Sequence, residues 1–375
     1  MDIGFDTISV IAFFALVGVL LIIDRKNIEF NYGLIIRRWK HGQYVMDKWI
    51  FNHKKFLQIF GTIGFIIGFG ASVFGLASII QMSLMNQQAV SPILPTVGGV
   101  EYPSSITGVP FWFWIISIFV VLTVHEPMHA IFARLAGVPV RSWGIMTFLV
   151  VPIGAFVDPD MKKVQKLTLS QKLRVFAGGS FGNFITAGII IAVMLASSLV
   201  FLDTKVTEYV IKDKPAQLAG VEGKLIRVDG VEIKSPDDLT GVMTRLQPGT
   251  VIEVITDKGS WMVTTTSRPD GAPGAYLGIG YGPVQVVKSA FMGIESSIVT
   301  LFELFRWLII FNLGIGIFNM MPMKPFDGGH MFEALFAKVF KSDILARRAI
   351  HITSLVVLGI ILFNVFGTNL IKSVL

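Results

Sequence analysis

The chain has 375 residues, 53% hydrophobic and only 15% charged, with a mean hydropathy of +0.68, which excludes an ordinary soluble domain and describes a polytopic membrane protein. Its net charge of +7 does not point to nucleic acid, because the lysines and arginines fall between apolar segments, as in loops held on a cytoplasmic face. With no cysteine in the chain, disulfides and thiolate metal sites are excluded, and any bound metal must rest on histidine and carboxylate.

Thr7–Ile23 reads as a first span. The preceding Met1–Asp6 lacks the basic region of a cleaved signal peptide, so this span is expected to be retained. Asp24–Phe56 carries eight Lys/Arg against three acids and reads as a cytoplasmic loop, with His41 and His53 solvated in it. Leu57–Leu84 is a second span whose five glycines let helices approach closely. Asn86–Pro110, without Lys or Arg, reads as an outside loop, and Phe111–Leu135 as a span returning inward. Gly137–Pro159 is apolar but broken by Pro and Gly, which fits a short strand pair or re-entrant hairpin, with Ile145–Val151 as its candidate edge. Met161–Arg174 is basic and cytoplasmic, and Val175–Leu202 is a fourth span.

Asp203–Gly282 changes character. Short alternating runs such as Lys224–Val228, Val251–Ile255 and Trp261–Thr265, separated by turn residues, describe a small β-rich domain lying outside. Pro283–Glu303 reads as an amphipathic interfacial segment and Leu304–Met321 as a fifth span, running inward. Met323–Arg348 reads as a basic cytoplasmic loop and Ile350–Phe366 as a sixth span, opened by a lone His351.

The chemistry concentrates in the third span. His125 and His129 are four residues apart, which on a helix places both imidazoles on one face, able to meet one ion, with Glu126 beside them. His125 lies about 21 Å along its helix, in the inner third of a hydrocarbon core about 30 Å thick. Three ionisable residues inside such a run are expensive, which favours a metal site over satisfied polar side chains. Pro127 removes one backbone hydrogen bond and predicts a kink. Two histidines do not complete a catalytic zinc site. Because the third and fifth spans both run inward, Asp327 of Asn319–His330 arrives at the same end as the histidines. Asp327-Gly328-Gly329 is also a good turn, Asn319 a possible cap, and Asn319 or His330 stand behind Asp327 as alternative ligands.

H-E-x-x-H at 125–129, G-x-x-x-N from Gly179 to Asn183, and N-x-x-P-x-x-x-x-D-G from Asn319 to Gly328, together with Ala155–Asp160, closely resemble the site-2 protease family of intramembrane zinc proteases over about residues 110–340. Pro127 inside the metal motif and Phe326, where many members carry Leu, depart from it without removing a ligand. The resemblance implies about six transmembrane helices and one membrane-associated β-hairpin region. Residues 1–110 form two N-terminal helices with their basic loop, and 111–202 the first part of a catalytic core. Residues 203–282 form an inserted domain, and 283–375 the second part of the core with the last span. It also implies a zinc metalloendopeptidase with one Zn²⁺ per chain on His125, His129 and Asp327, and Glu126 as general base on a zinc-bound water. Asn183 and Asn319 would be donors to the substrate backbone or oxyanion.

Lys214–Val221, Gly223–Gly230 and Gln247–Gly249 resemble a bacterial-type PDZ domain, with Tyr276–Gly280 similar to its carboxylate-binding loop in permuted order. The implied partners are single-span transmembrane substrates, the lipid bilayer and a C-terminal peptide at the PDZ-like domain, with no nucleic acid. The implied location is a prokaryotic cell membrane, with the active site near the cytoplasmic side and the PDZ-like domain outside. A membrane zinc peptidase acting on soluble or lipidated peptides, and an inactive PDZ-bearing adaptor, are the competing readings.

Overall fold

A computed structural model describes residues 5–31, 34–39, 43–149, 151–211, 214–269 and 271–367. His41 lies outside them. The chain forms two compact units, one of Met1–Met194 with Val299–Leu375 and one of Leu195–Ile298.

The first unit opens with α1 (Phe5–Ile23). β1 (Ile28–Asn31) and β2 (Leu34–Trp39) pair antiparallel, and α2 (Gln43–Asn52) leads into α3 (Lys54–Leu84). α3 buries Gly61, Gly64, Gly68, Ser72 and Gly75, a stripe of small residues at helical spacing. A Cβ at Gly61 would meet Phe132 and one at Gly64 would meet Phe181, so the missing side chains are what let neighbouring helices seat their aromatic rings. β3 (Ile93–Thr96) and β4 (Thr107–Pro110) pair in parallel and deliver the chain to α4 (Phe111–Leu135), an apolar helix with Pro127 inside it. β5 (Val140–Phe148) and β6 (Val151–Pro159) pair antiparallel. They join the first two strands in one sheet of order β1-β2-β5-β6. α5 (Met161–Val164) is capped by Asp160 and precedes α6 (Leu169–Phe201).

The second unit is β-rich. β7 (Leu202–Val210), α7 (Pro215–Leu218), β8 (Leu225–Val228), β9 (Val231–Glu232) and α8 (Pro236–Arg245) come first. They are followed by β10 (Val251–Thr256), β11 (Gly259–Thr264), β12 (Thr266–Ser267), β13 (Ala275–Tyr276) and β14 (Ile279–Val287). Four strands form a sheet of order β11-β10-β8-β9, while β14 runs antiparallel to β7 along its whole length. Alternation along β10 turns Ile252 and Val254 inward, and β8, whose pairing with β10 shifts register between Arg227 and Leu225, adds Leu225 and Val228. These pack with Leu239, Val242 and Met243 of α8 as the unit's core. α8 starts where Ser235 and Asp238 form a capping box, with Pro236 in the first turn.

The first unit resumes with α9 (Glu295–Asn319), α10 (Asp327–Phe340) and α11 (Asp343–Leu362), closed by a π-helical turn over Phe363–Gly367. Among the described residues, six helices are long and apolar enough to cross a membrane: Asp6–Ile23, Lys54–Leu84, Phe111–Leu135, Leu169–Phe201, Ser289–Asn319 and Asp343–Gly367. The protein is a multi-pass helical membrane protein.

Four expectations from the sequence change. Asp24–Phe56 is not an open loop, since it contributes β1, β2 and α2. The arginines that marked it as solvated are engaged: Arg37 pairs with Asp24 and lies 5.1 Å from the Trp39 ring centroid, and Arg38 lies 4.9 Å from that of Phe156. Pro283–Glu303 is not one interfacial helix, because its first five residues continue β14 against β7 and Glu295 already begins α9. Met323–Arg348 is mostly α10 and the start of α11 rather than loop, with Met331 buried and Lys324 ion-paired to Glu333. Of the segment Ile145–Val151, the β5 part Ile145–Phe148 is not an edge, because β5 has β2 on one side and β6 on the other, while Val150 lies outside the described residues and Val151 begins β6. The sheet's outer strands are β1 and β6.

Candidate metal centre

α4 is largely apolar and carries His125, 5% exposed, and His129 one turn later on the same face. Pro127 has no N–H to offer the carbonyl of Thr123, so the ladder is interrupted beside the two imidazoles. Asp327 is the first residue of α10, where the unpaired N–H groups and the helix dipole favour a carboxylate. The two glycines that follow are buried. A Cβ on Gly328 would run into the backbone carbonyls of Met320 and Met321, and one on Gly329 into Met323. The D-G-G sequence is therefore a helix start pressed onto the preceding turn, and that contact aims Asp327 at α4.

His125 Nε2 and His129 Nε2 lie 3.1 Å apart, and Asp327 Oδ2 lies 3.1 Å from the first and 3.2 Å from the second. Ligands about 2.0–2.1 Å from a tetrahedral centre are about 3.3 Å from one another, so this triangle fits three ligands of a zinc ion. Two histidines and one carboxylate, with no thiolate, form the kind of donor set seen in catalytic rather than structural zinc sites. The ring of His129 is fixed from behind. Its Nδ1–H donates to the Val175 carbonyl at 2.7 Å, which leaves the Nε2 lone pair facing the triangle.

The remaining expected residues are placed as follows. Glu126 stays out of the triangle and accepts a 2.9 Å hydrogen bond from the Val157 N–H of β6. The Asn319 amide Nδ2 is 3.5 Å from His125 Nε2, on the ligand side of the ring. Asn183 has no exposed surface, and its Nδ2 lies 3.0 Å from His125 Nδ1, on the far side of the ring. Gly179 faces both imidazoles, since a Cβ there would meet the Nε2 atoms of His125 and His129. His330, an alternative third ligand on sequence grounds, instead stacks on Phe176 with ring centroids 5.3 Å apart. Burial and the nearby Lys324 ammonium hold its imidazole below the usual range. His53 and His351 are exposed. Two contributors escaped the sequence reading, the Val175 carbonyl and the Val157 N–H. Both are backbone groups, which no residue type announces.

An uncharacterized protein of Methanocaldococcus jannaschii is 26% identical over 344 residues, covering 88% of this chain and 86% of that protein. A Clostridium perfringens protein named "Putative zinc metalloprotease" is 24% identical, over 60% of this chain and 87% of its own length. A Mesorhizobium japonicum protein of the same name is 22% identical, over 70% of this chain and 99% of its own. The model of peptidase family M50 matches residues 113–364, a range that includes His125, His129 and Asp327 and covers about two thirds of the sequence. The chain belongs to peptidase family M50, the site-2 protease family that its motifs resemble.

Proposed function

We propose that the protein is an intramembrane zinc metalloendopeptidase that hydrolyses peptide bonds within or near the membrane segments of single-span proteins. The observation that carries this reading is the triangle of His125, His129 and Asp327 beside Glu126, with both histidines on a helix of membrane-spanning length. When bound, zinc supplies Lewis-acid chemistry, polarising a carbonyl and acidifying water. Glu126 takes the water's proton and passes it to the leaving amine. The Val157 N–H holds the Glu126 carboxylate in one orientation from the sheet side. Asn319, on the Nε2 side of His125, donates from its amide to the carbonyl oxygen as charge develops there. Asn319 has this role alone, because Asn183 offers no exposed surface to a substrate.

A helical substrate shields its peptide bonds, so it must become extended to be cut. The outer edge of β6, where the Val157 N–H faces Glu126, suits strand addition by such a segment. The membrane is that of a prokaryotic cell, with the metal site near the cytoplasmic side and the Leu195–Ile298 unit outside. That unit is a PDZ-like module. The Tyr276–Gly280 segment leads into β14, whose partner among the described strands is β7 on one side only, leaving an edge for a C-terminal peptide.

The test is incubation of a panel of single-span membrane proteins with the purified chain, with and without a chelator. Cleavage is expected within or beside the membrane segment, abolished by the chelator and restored by zinc. Glu126→Gln should retain zinc and fold while losing about 10²–10⁴ in rate, the usual cost of a missing general base. Turnover by that variant near the parent's would refute the assigned base.

A further inference from the structure

The G-x-x-x-N motif runs along one face of α6, and its neighbours divide a single task. Val175, Gly179 and Asn183 recur every four residues and so lie in one row on that helix. Opposite them, His129 and His125 recur at the same interval on α4. The Val175 carbonyl takes the Nδ1–H of His129 at 2.7 Å, and the Asn183 amide sits 3.0 Å from the Nδ1 of His125. Between them, Gly179 supplies the gap that the two rings fill, since its Cβ would clash with both Nε2 atoms. Each ring is thus gripped at Nδ1 by α6, with Nε2 directed at Asp327.

We propose that Asn183 is a positioning residue for His125, fixing the ring and its tautomer for metal binding, and that it does not contact substrate. The inference rests on the reading of the triangle as a zinc site. An imidazole that gives its Nε2 lone pair to a metal carries its proton on Nδ1, and that proton needs an acceptor. Asn183 Oδ1 is buried and, among the described residues, has no hydrogen-bond partner. A half-turn of the amide about its last side-chain bond exchanges Oδ1 for Nδ2 and puts the carbonyl oxygen on the His125 Nδ1–H. An amide is suited to this place, being uncharged at membrane depth and carrying an acceptor as well as a donor. Complete burial is the physical argument against a substrate contact, because a donor for a developing oxyanion must lie on the open side of the ring.

Zinc affinity, measured on the purified full-length chain by competition with a chromophoric chelator, separates the two roles without any turnover. Asn183→Leu keeps the shape and removes both polar atoms, and it should weaken zinc binding by about 10–100-fold, the usual cost of losing a partner behind a metal-bound histidine. Asn183→Asp, which still accepts from Nδ1–H, should hold zinc close to the parent's affinity. The cobalt-loaded Leu variant should also show an altered visible spectrum. A folded Leu variant that binds zinc like the parent but cleaves poorly would overturn the proposal and return Asn183 to the substrate. If the Leu variant does not fold, the Asp variant decides, and a loss of about tenfold or more in a folded Asn183→Asp protein counts against it. Failure of the parent itself to bind one zinc would instead defeat the underlying zinc reading.

Discussion

At the scale of the residue, the three proposed ligands differ in how each is positioned. Helical geometry places His125 and His129 on one face, so their pairing was legible from spacing. Asp327 lies 202 positions from His125, and its arrival depends on two glycines that let α10 start against the Met320 and Met321 carbonyls. His125→Ala, His129→Ala and Asp327→Ala should each lose the bound zinc, read by metal analysis of the purified variants. A fully loaded Asp327→Ala would remove that ligand from the site. Gly328→Ala should act at one remove, leaving the carboxylate in the sequence but displacing it. Forcing a methyl group into a packed contact costs about 1–3 kcal/mol, so this variant should show both a lower melting temperature and reduced zinc content. Equal stability and full zinc would mean that the Met320 turn yields without moving Asp327. Asn183 was legible as a polar residue at membrane depth. Which nitrogen of which ring it faces was not, because that depends on the register between α4 and α6.

At the scale of the element, the helices were easier to read than the sheet. A continuous apolar run announces a spanning helix by itself, and Phe111–Leu135 has the same limits in sequence and structure. The sheet instead joins β1 and β2 to strands more than a hundred residues later, with β2 Arg38 donating to Ser142 of β5 at 3.2 Å. A pairing set at such separation leaves no local pattern, and two adjacent arginines in β2 give the appearance of a loop. The consequence falls on substrate entry. Thr147→Pro breaks an interior strand, since Thr147 pairs with Ile35 on one side and Pro152 on the other, so it would harm the whole sheet. The informative change is Ala155→Pro in β6. Val157 directs its N–H away from β5 towards Glu126, and Ala155, two residues earlier in a regular stretch of pairing, shares that direction. Proline there removes an outward donor and leaves the pairing with β5 intact. The variant should bind zinc normally and cleave helix-broken substrates poorly. Full activity in Ala155→Pro would exclude the β6 edge as the place where substrate adds.

At the scale of the whole molecule, the proposed orientation rests on the six apolar helices and the distribution of lysine and arginine. The stretches before α3 and before α6 are rich in basic residues, whereas Asn86–Pro110 has none. Counting spans from an outside N-terminus places the first two on the cytoplasmic side, and it places Asn86–Pro110 and the Leu195–Ile298 unit outside. The same count brings His129, near the inner end of α4, and Asp327, just beyond α9, to the cytoplasmic side, and reversing the orientation would carry the proposed metal site to the other face with them. Because the chain has no cysteine, single cysteines report position without background. Ser104, Asp237 and Lys48 are exposed and lie away from the proposed site. Cysteines at 104 and 237 should react with an impermeant thiol reagent on intact cells, and a cysteine at 48 should react only after the cells are opened. Reaction at 48 alone would invert the orientation, moving the β-rich unit to the cytoplasm and the metal site to the opposite face. Reaction at 104 without 237 would mean that α6 does not cross the bilayer. The β-rich unit would then lie on the same side as the metal site, and a role in meeting substrates from outside would be lost.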